Sequence, residues 1–278
     1  MAVRVANAPV SFGAFELTVS RTPDVPDAER VLRAIAEGGY AGTELGPPGY
    51  LGDRGTLPAA LARHGLVLTG GYVPLRFGDP DERLAALEET LDLFDAAAMD
   101  EPPRPVLADD GSRGGEVDWP RLLDGVARAA ERARERGYEP TFHHHMGTRI
   151  QSVEEIERLL EGADVPLLLD SGHLLAAGGD PVAALGDWRG RIDYVHVKDV
   201  DLGLLRSAPS WPEAWRSGVF CELGTGEVDL AAFFGELDGY AGWLVVEQDW
   251  VARPGEDAEP QIAAQARNRA WLREHAGI

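Results

Sequence analysis

The chain repeats one pattern: an amphipathic helical stretch, a glycine, then a short apolar run. DAERVLRAIAEGGYAGTELG shows it at residues 27–46, and PAALARHGLVLTGGYV shows it again at 58–73. WPRLLDGVARAAERARERGYEPTFHHH follows at 119–145 and VEEIERLLEGADVPLLLDSGH at 153–173. The glycine that closes each helix predicts a left-handed C-terminal cap leading straight into a strand. Helix and strand alternating through tight connections predict parallel βαβ units.

Eight apolar runs qualify as strands: VRVANAP, YAGTELG, LVLTGGYV, RPVLADD, EPTFHHH, VPLLLD, IDYVHVKD and GWLVVEQD. Eight strands with helical stretches between them predict a (β/α)8 TIM barrel, an α/β fold made as a single domain over residues 1–278. No GxGxxG or Walker-type loop follows the first run, so the usual nucleotide-binding sheets lack their signature. GPPGYLGDRG, DEPPRP and RPGEDAEP read as connections, and the first follows a strand, where a barrel builds its active site.

Composition narrows the function classes. The 278 residues are 44% hydrophobic, enough for one large core. The formal net charge of −21 opposes phosphate backbones and anionic lipid, so neither a nucleic acid nor a membrane surface is expected as a partner. No uninterrupted apolar stretch reaches the roughly 18 residues of a membrane-spanning helix. MAVRVANAPVSFG lacks the charged start and long apolar run of a secretion signal. Cys221, the single cysteine, forms no internal disulfide; a cytoplasmic location is the expectation.

Chemistry in such a barrel belongs at the C-terminal ends of the strands. Side-chain alternation puts His143 and His145 on one face of the fifth run and His144 on the other. Asp170 ends the sixth run in phase with Leu168, with His173 just beyond. His196 and Lys198 share a face with Tyr194; Glu247 shares one with Val245 and Asp249; Glu44 shares one with Gly42. An Asp, a Glu and two or three His converging on one end suit a divalent cation, and the mixed N/O set favours Mn²⁺, Co²⁺ or Zn²⁺ over Mg²⁺ or Ca²⁺. Each residue also has a plainer reading. A strand-end His can be a hydrogen-bonded structural group, Asp170 a turn initiator, and Lys198 an exposed charge. His144, on the outward face, is expected to be packed or capped outside the metal set.

At these residues the sequence resembles the xylose-isomerase-like barrel superfamily of sugar isomerases and epimerases, and within it the inosose dehydratase branch of inositol catabolism. The segments that carry the resemblance are NAPVSFG, TELGPPGYLG, FHHHMGT, LLLDSGHLLAAGGDP, YVHVKDV, LGTGEVDL and GWLVVEQD, in order from residue 7 to residue 249. The resemblance implies a metal held by Glu, Asp, His and Glu on the fifth to eighth strands. Asp170, His196 and Glu247 match three of these positions, and His143 stands where the strand-five Glu would be. That replacement departs from a simple isomerase and matches the H-x-H-x-G-T pattern of the dehydratase branch.

The implied activity is a metal-dependent carbon–oxygen lyase acting on a small keto-polyol such as scyllo-inosose, with Mn²⁺ or Co²⁺ as the expected cofactor. Expected roles are His143, Asp170, His196 and Glu247 as metal ligands, Lys198, Glu44 and His173 in proton transfer and orientation, and His145 at the substrate. The alternative is a metal-dependent isomerase or epimerase of a ketose or keto-polyol. A sugar-binding barrel without turnover and a DNA-repair endonuclease are further classes, and the charge opposes the second. SAPSWPEAW, at 207–215, reads equally as a pocket-shaping loop or as the interface of a homo-oligomer.

Overall fold

The computed structural model describes residues 3–15, 18, 24–111, 113–114, 116–253 and 255–278. Met1, Ala2 and Pro254, quoted above within longer segments, lie outside the described residues. Among the described residues ten strands form: β1 (Arg4–Asn7), β2 (Gly42–Glu44), β3 (Val67–Leu75), β4 (Arg104–Asp109), β5 (Thr141–His143), β6 (Leu167–Asp170), β7 (Ile192–Val197), β8 (Asp199–Val200), β9 (Phe220–Cys221) and β10 (Trp243–Val246). Eight of them close a barrel in the order β1-β10-β7-β6-β5-β4-β3-β2, every pair parallel. Seven fall within the apolar runs, and β3 starts within LVLTGGYV and continues two residues past it to Leu75. The small antiparallel pair β8–β9 was not expected; it opens an excursion between β7 and the helix Leu230–Glu236.

Two apolar clusters explain why the sheet closes. Ala6, Val106, Leu168, Tyr194, Trp243 and Val245, from five of the eight barrel strands, pack on one another with Ala8 and fill the lumen. A larger cluster, with Leu167, Leu169, Val195, Val197, Leu244 and Val246 among its members, joins the outer face of the strands to the helices. Strands buried on both faces are expected to read as continuous apolar runs, as LLL and WLVV do. The phase of the lumen residues carries directly into the site. Leu168 leads to Asp170 and Tyr194 to His196, each two residues on along its strand, and Val245 leads to Glu247 just past the end of β10.

Local signals set the helix ends. Asp27 caps Ala28–Gly38, Asp118 caps Trp119–Glu135, and Ser152 with Glu155 makes a full capping box on Val153–Gly162. Gly39 and Gly65 close their helices in the left-handed region, at φ 83° and 64°, as the pattern predicts. Gly162 does not. Its helix ends on an extended Ala163, and a Cβ on Gly162 would lie 2.5 Å from Leu123. Glycine at 162 serves close helix packing rather than a cap.

Candidate active site

Polar side chains collect at the C-terminal mouth of the barrel, above the lumen cluster. Tyr194 forms the floor, its hydroxyl donating to Thr69 Oγ1 at 2.8 Å from the other side of the ring. Above it, Glu44, His143, His145, His196, Lys198, Glu247 and Asp249 all line one cavity of about 390 Å³. The loop after β1 supplies an apolar wall that includes Pro9, Val10, Ala14 and Phe15. Trp215 from the excursion closes the rim against Phe15, their rings 5.1 Å apart. SAPSWPEAW thus contributes to the pocket through Trp215.

The charged groups interlock. Lys198 Nζ lies 3.1 Å from Asp170 Oδ2, 2.8 Å from Glu247 Oε2 and 2.9 Å from Asp249 Oδ1. His196 Nδ1 approaches the same two oxygens, at 2.9 Å from Glu247 Oε2 and 3.6 Å from Asp170 Oδ2. Its other nitrogen, Nε2, is 2.8 Å from Glu44 Oε1. His143 Nε2 stands 4.0 Å from Asp170 Oδ2. Two subsets of these residues, His143–Asp170–His196 and Glu44–His196–Glu247, each bring their ligand atoms within 4.8 Å of one another.

Burial and charge set the protonation states. Burial would strip the proton from Lys198, but Asp170, Asp249 and Glu247 outweigh it and hold the ammonium charged far above the ordinary lysine range. Burial acts the same way on His196 and is overcome by Glu247 and Glu44, which keep its proton well above the ordinary histidine range. Against their own burial, Asp170 and Asp249 stay ionised, chiefly through Lys198, and Glu247 through His196 and Lys198. Burial instead dominates at His143 and His145, pushing both well below the usual value, and it pushes His144 down to about 3. Those three rings are neutral.

Main-chain contacts hold the set in place. Asp170 Oδ1 accepts the His173 N–H at 2.8 Å and so caps the helix Ser171–Ala176, leaving Oδ2 for the site. One oxygen of Asp170 thus meets the turn-initiator reading, and the other faces Lys198 and His196. Ser171 Oγ accepts from Lys198 N at 2.9 Å and donates to Lys198 O at 2.7 Å, pinning the lysine backbone. Gly172 allows this approach, since a Cβ there would lie 2.6 Å from Lys198 Cβ. His144 accepts the Asp170 N–H on Nε2 at 3.1 Å and stays off the cavity wall, as expected from its outward phase. His145 Nδ1 is 2.9 Å from the Met146 carbonyl. A carbonyl only accepts, so Nδ1 carries the hydrogen and Nε2 keeps its lone pair.

His173 stands apart from its expected place. It is fully buried, does not line the cavity, and sits behind His145 with ring centres 3.9 Å apart. Its Nε2 faces Asp249 Oδ2 at 3.5 Å. Asp249 is the group missing from the expected set: it lines the cavity and anchors Lys198. Its phase with Glu247 was the signal that could have found it.

The donor set fits a divalent cation. Four buried carboxyl groups (Glu44, Asp170, Glu247 and Asp249) face only the Lys198 ammonium and the His196 ring, and so many acidic groups are expensive to bury alone. His143 Nδ1 meets no hydrogen-bond partner among the described residues, and Asp170 Oδ2 and His196 Nδ1 meet only the charged groups of the cluster itself. Imidazole and carboxylate together suit Mn²⁺, Co²⁺ or Zn²⁺.

Comparison with known proteins agrees with this architecture. The family model described as xylose isomerase-like TIM barrel matches residues 32–275. An inosose dehydratase of Geobacillus thermodenitrificans is 38% identical over 175 residues, 59% of this chain and 56% of that protein. The matched region thus spans little more than half of that relative. The rhizopine catabolism protein MocC of Rhizobium meliloti is 34% identical over 281 residues, 90% of this chain and 82% of that one. Among solved structures, an IolI protein with a bound zinc atom superposes with a TM-score of 0.74 over 99% of this chain and 100% of that one. At 15% identity that likeness speaks for the fold alone.

Proposed function

The chain belongs to the xylose isomerase-like TIM barrel family, and from that premise we propose that it is a metal-dependent dehydratase of a keto-polyol such as scyllo-inosose. The observation that carries the reading is the buried cluster of His143, Asp170, His196 and Glu247 around Lys198, at the mouth of a barrel whose relatives include an inosose dehydratase. We assign those four residues as ligands of a divalent cation, with Mn²⁺ or Co²⁺ preferred and Zn²⁺ also compatible. When bound, the cation supplies Lewis acidity that stabilises negative charge on the ketone oxygen.

Dehydration breaks a C–H bond beside the ketone, and the electron pair forms an enolate. The C–O bond to the β-hydroxyl then breaks, and the oxygen leaves as water once it has gained a proton. Lys198 suits the second step, because three carboxylates keep it protonated beside the cavity. The proton acceptors on the cavity wall include Glu44, His145 and Asp249. Glu44 is engaged by His196 and Asp249 by Lys198, which leaves the Nε2 lone pair of His145 for a substrate hydroxyl or the departing proton. We assign His173 to support, since it backs His145 without reaching the cavity.

The test is incubation of metal-loaded protein with a panel of inososes and ketoses. Dehydration creates a conjugated 1,2-dione or enol, so a new ultraviolet absorbance that depends on metal is expected. Epimerisation leaves no such chromophore, and NMR showing an inverted centre without loss of water would overturn the dehydratase reading. Replacing His145 with Ala should remove both turnover and solvent deuterium exchange beside the ketone.

A further inference from the structure

His196 has a carboxylate on each side of its ring and is 2% exposed. Without a cation the carboxylates on both sides keep His196 protonated, so one N–H must be given up before the ring can ligate. The neutral imidazole then has one N–H and one lone pair, and which nitrogen carries which is set by its partners. The two sides of His196 differ. Nδ1 faces Glu247 and Asp170, oxygens that also hold the Lys198 ammonium, so a cation already occupies that side. Nε2 faces Glu44 alone, at 2.8 Å.

Glu44 reaches that nitrogen from β2, which lies away from β7 in the ring, with β1 and β10 between them. The β2–β3 register shifts between Thr43 and Glu44. Irregularities of this kind re-aim a side chain, and here the side chain delivered to the lumen is the one that meets His196. The same oxygens thus define a cation side and a carboxylate side of one imidazole.

We infer that Glu44 is a positioning residue: it accepts the Nε2–H of His196 and thereby leaves the Nδ1 lone pair facing Asp170 and Glu247 for the divalent cation. The inference rests on the ligand set proposed above. It moves Glu44 out of proton transfer, the role expected from sequence. A carboxylate behind a ligating imidazole fixes its tautomer and raises its basicity, and losing one typically weakens metal binding about 10–100-fold.

The experiment measures cation binding without substrate. Dissociation constants for Co²⁺ and Zn²⁺ are read by chelator competition in wild type, Glu44→Ala, Glu44→Gln and Glu247→Ala, with circular dichroism and thermal melting as controls on folding. Glu44→Ala should bind about 10–100-fold more weakly than wild type and yet still bind. Glu44→Gln keeps an acceptor oxygen and should recover part of that loss. Long-range ¹H–¹⁵N NMR of the Zn²⁺ form should show His196 protonated on Nε2 and metal-shifted on Nδ1. Unchanged affinity in Glu44→Ala, with turnover lost, would make Glu44 the proton-transfer group and overturn the inference. Binding abolished as completely as in Glu247→Ala would make Glu44 a direct ligand, overturning it in the other direction. If Glu247→Ala keeps wild-type affinity, the proposed ligand set itself fails, separately from the role of Glu44.

Discussion

Lys198 keeps its charge almost out of reach of water, between three carboxylates. Two of those, Asp170 and Glu247, are the oxygens assigned to the divalent cation, so the ammonium and the cation compete for the same lone pairs. Lys198→Met keeps the length of the side chain and removes that competitor. Two effects of opposite sign should follow: tighter Mn²⁺ binding by calorimetry, and a kcat lowered about 10²–10⁴-fold, the usual contribution of a proton-transfer group. A weaker Mn²⁺ affinity would take Lys198 out of the competition, and a kcat within about threefold of wild type would take it out of proton transfer. Asp170→Ala and Glu247→Ala should each lose stoichiometric metal, read by elemental analysis. Near-native content in both would remove them from contact with the cation.

At the scale of elements, an ion pair to the buried Asp109 braces the HHHMGT segment just beyond its C-terminal end. Arg149 holds Asp109, at the end of β4, through Nη2 at 2.6 Å and Nε at 3.0 Å, and also donates to the Phe77 carbonyl at 2.7 Å. Breaking a buried pair from one side strands the other charge, so Arg149→Ala should lower unfolding free energy by about 3 kcal/mol in urea titration. The same variant should raise KM more than it lowers kcat, because His145 loses its support. The sequence made the barrel strands legible because each is buried on both faces and reads as an apolar run, and lumen phase then pointed to Asp170, His196 and Glu247. It left β8 and β9 invisible, since strands of two residues carry no periodicity. His173 was misplaced for a related reason. It lies in the helix after β6, where strand alternation no longer says which way a side chain faces.

Across the whole molecule the two mouths of the barrel differ in what they do with a buried charge. At the N-terminal end Asp193 sits 3.1 Å from Arg104, and burial, only partly offset by that arginine, pushes its carboxyl up to about 6. A carboxyl raised above its unfolded value of 3.8 favours the fold when protonated. That contribution is full below the unfolded value and is lost as pH rises through the folded one. Asp193→Asn should therefore flatten the pH dependence of stability across that window, by up to about 2–3 kcal/mol in chemical denaturation. A wild-type slope retained by the variant would place the titration elsewhere. At the opposite mouth, Asp199 accepts four backbone N–H groups, from Val200 and Val228 on one oxygen and from Gly224 and Gly226 on the other. A Cβ on Gly226 would lie 2.4 Å from that carboxylate, so the turn is built around it. The excursion carrying Trp215 is consequently tied to the barrel at its return, and the pocket rim should not behave as a gate. The amides of Gly224, Gly226 and Val228 should exchange with deuterium only as slowly as the strands of the barrel, and binding should leave those rates unchanged.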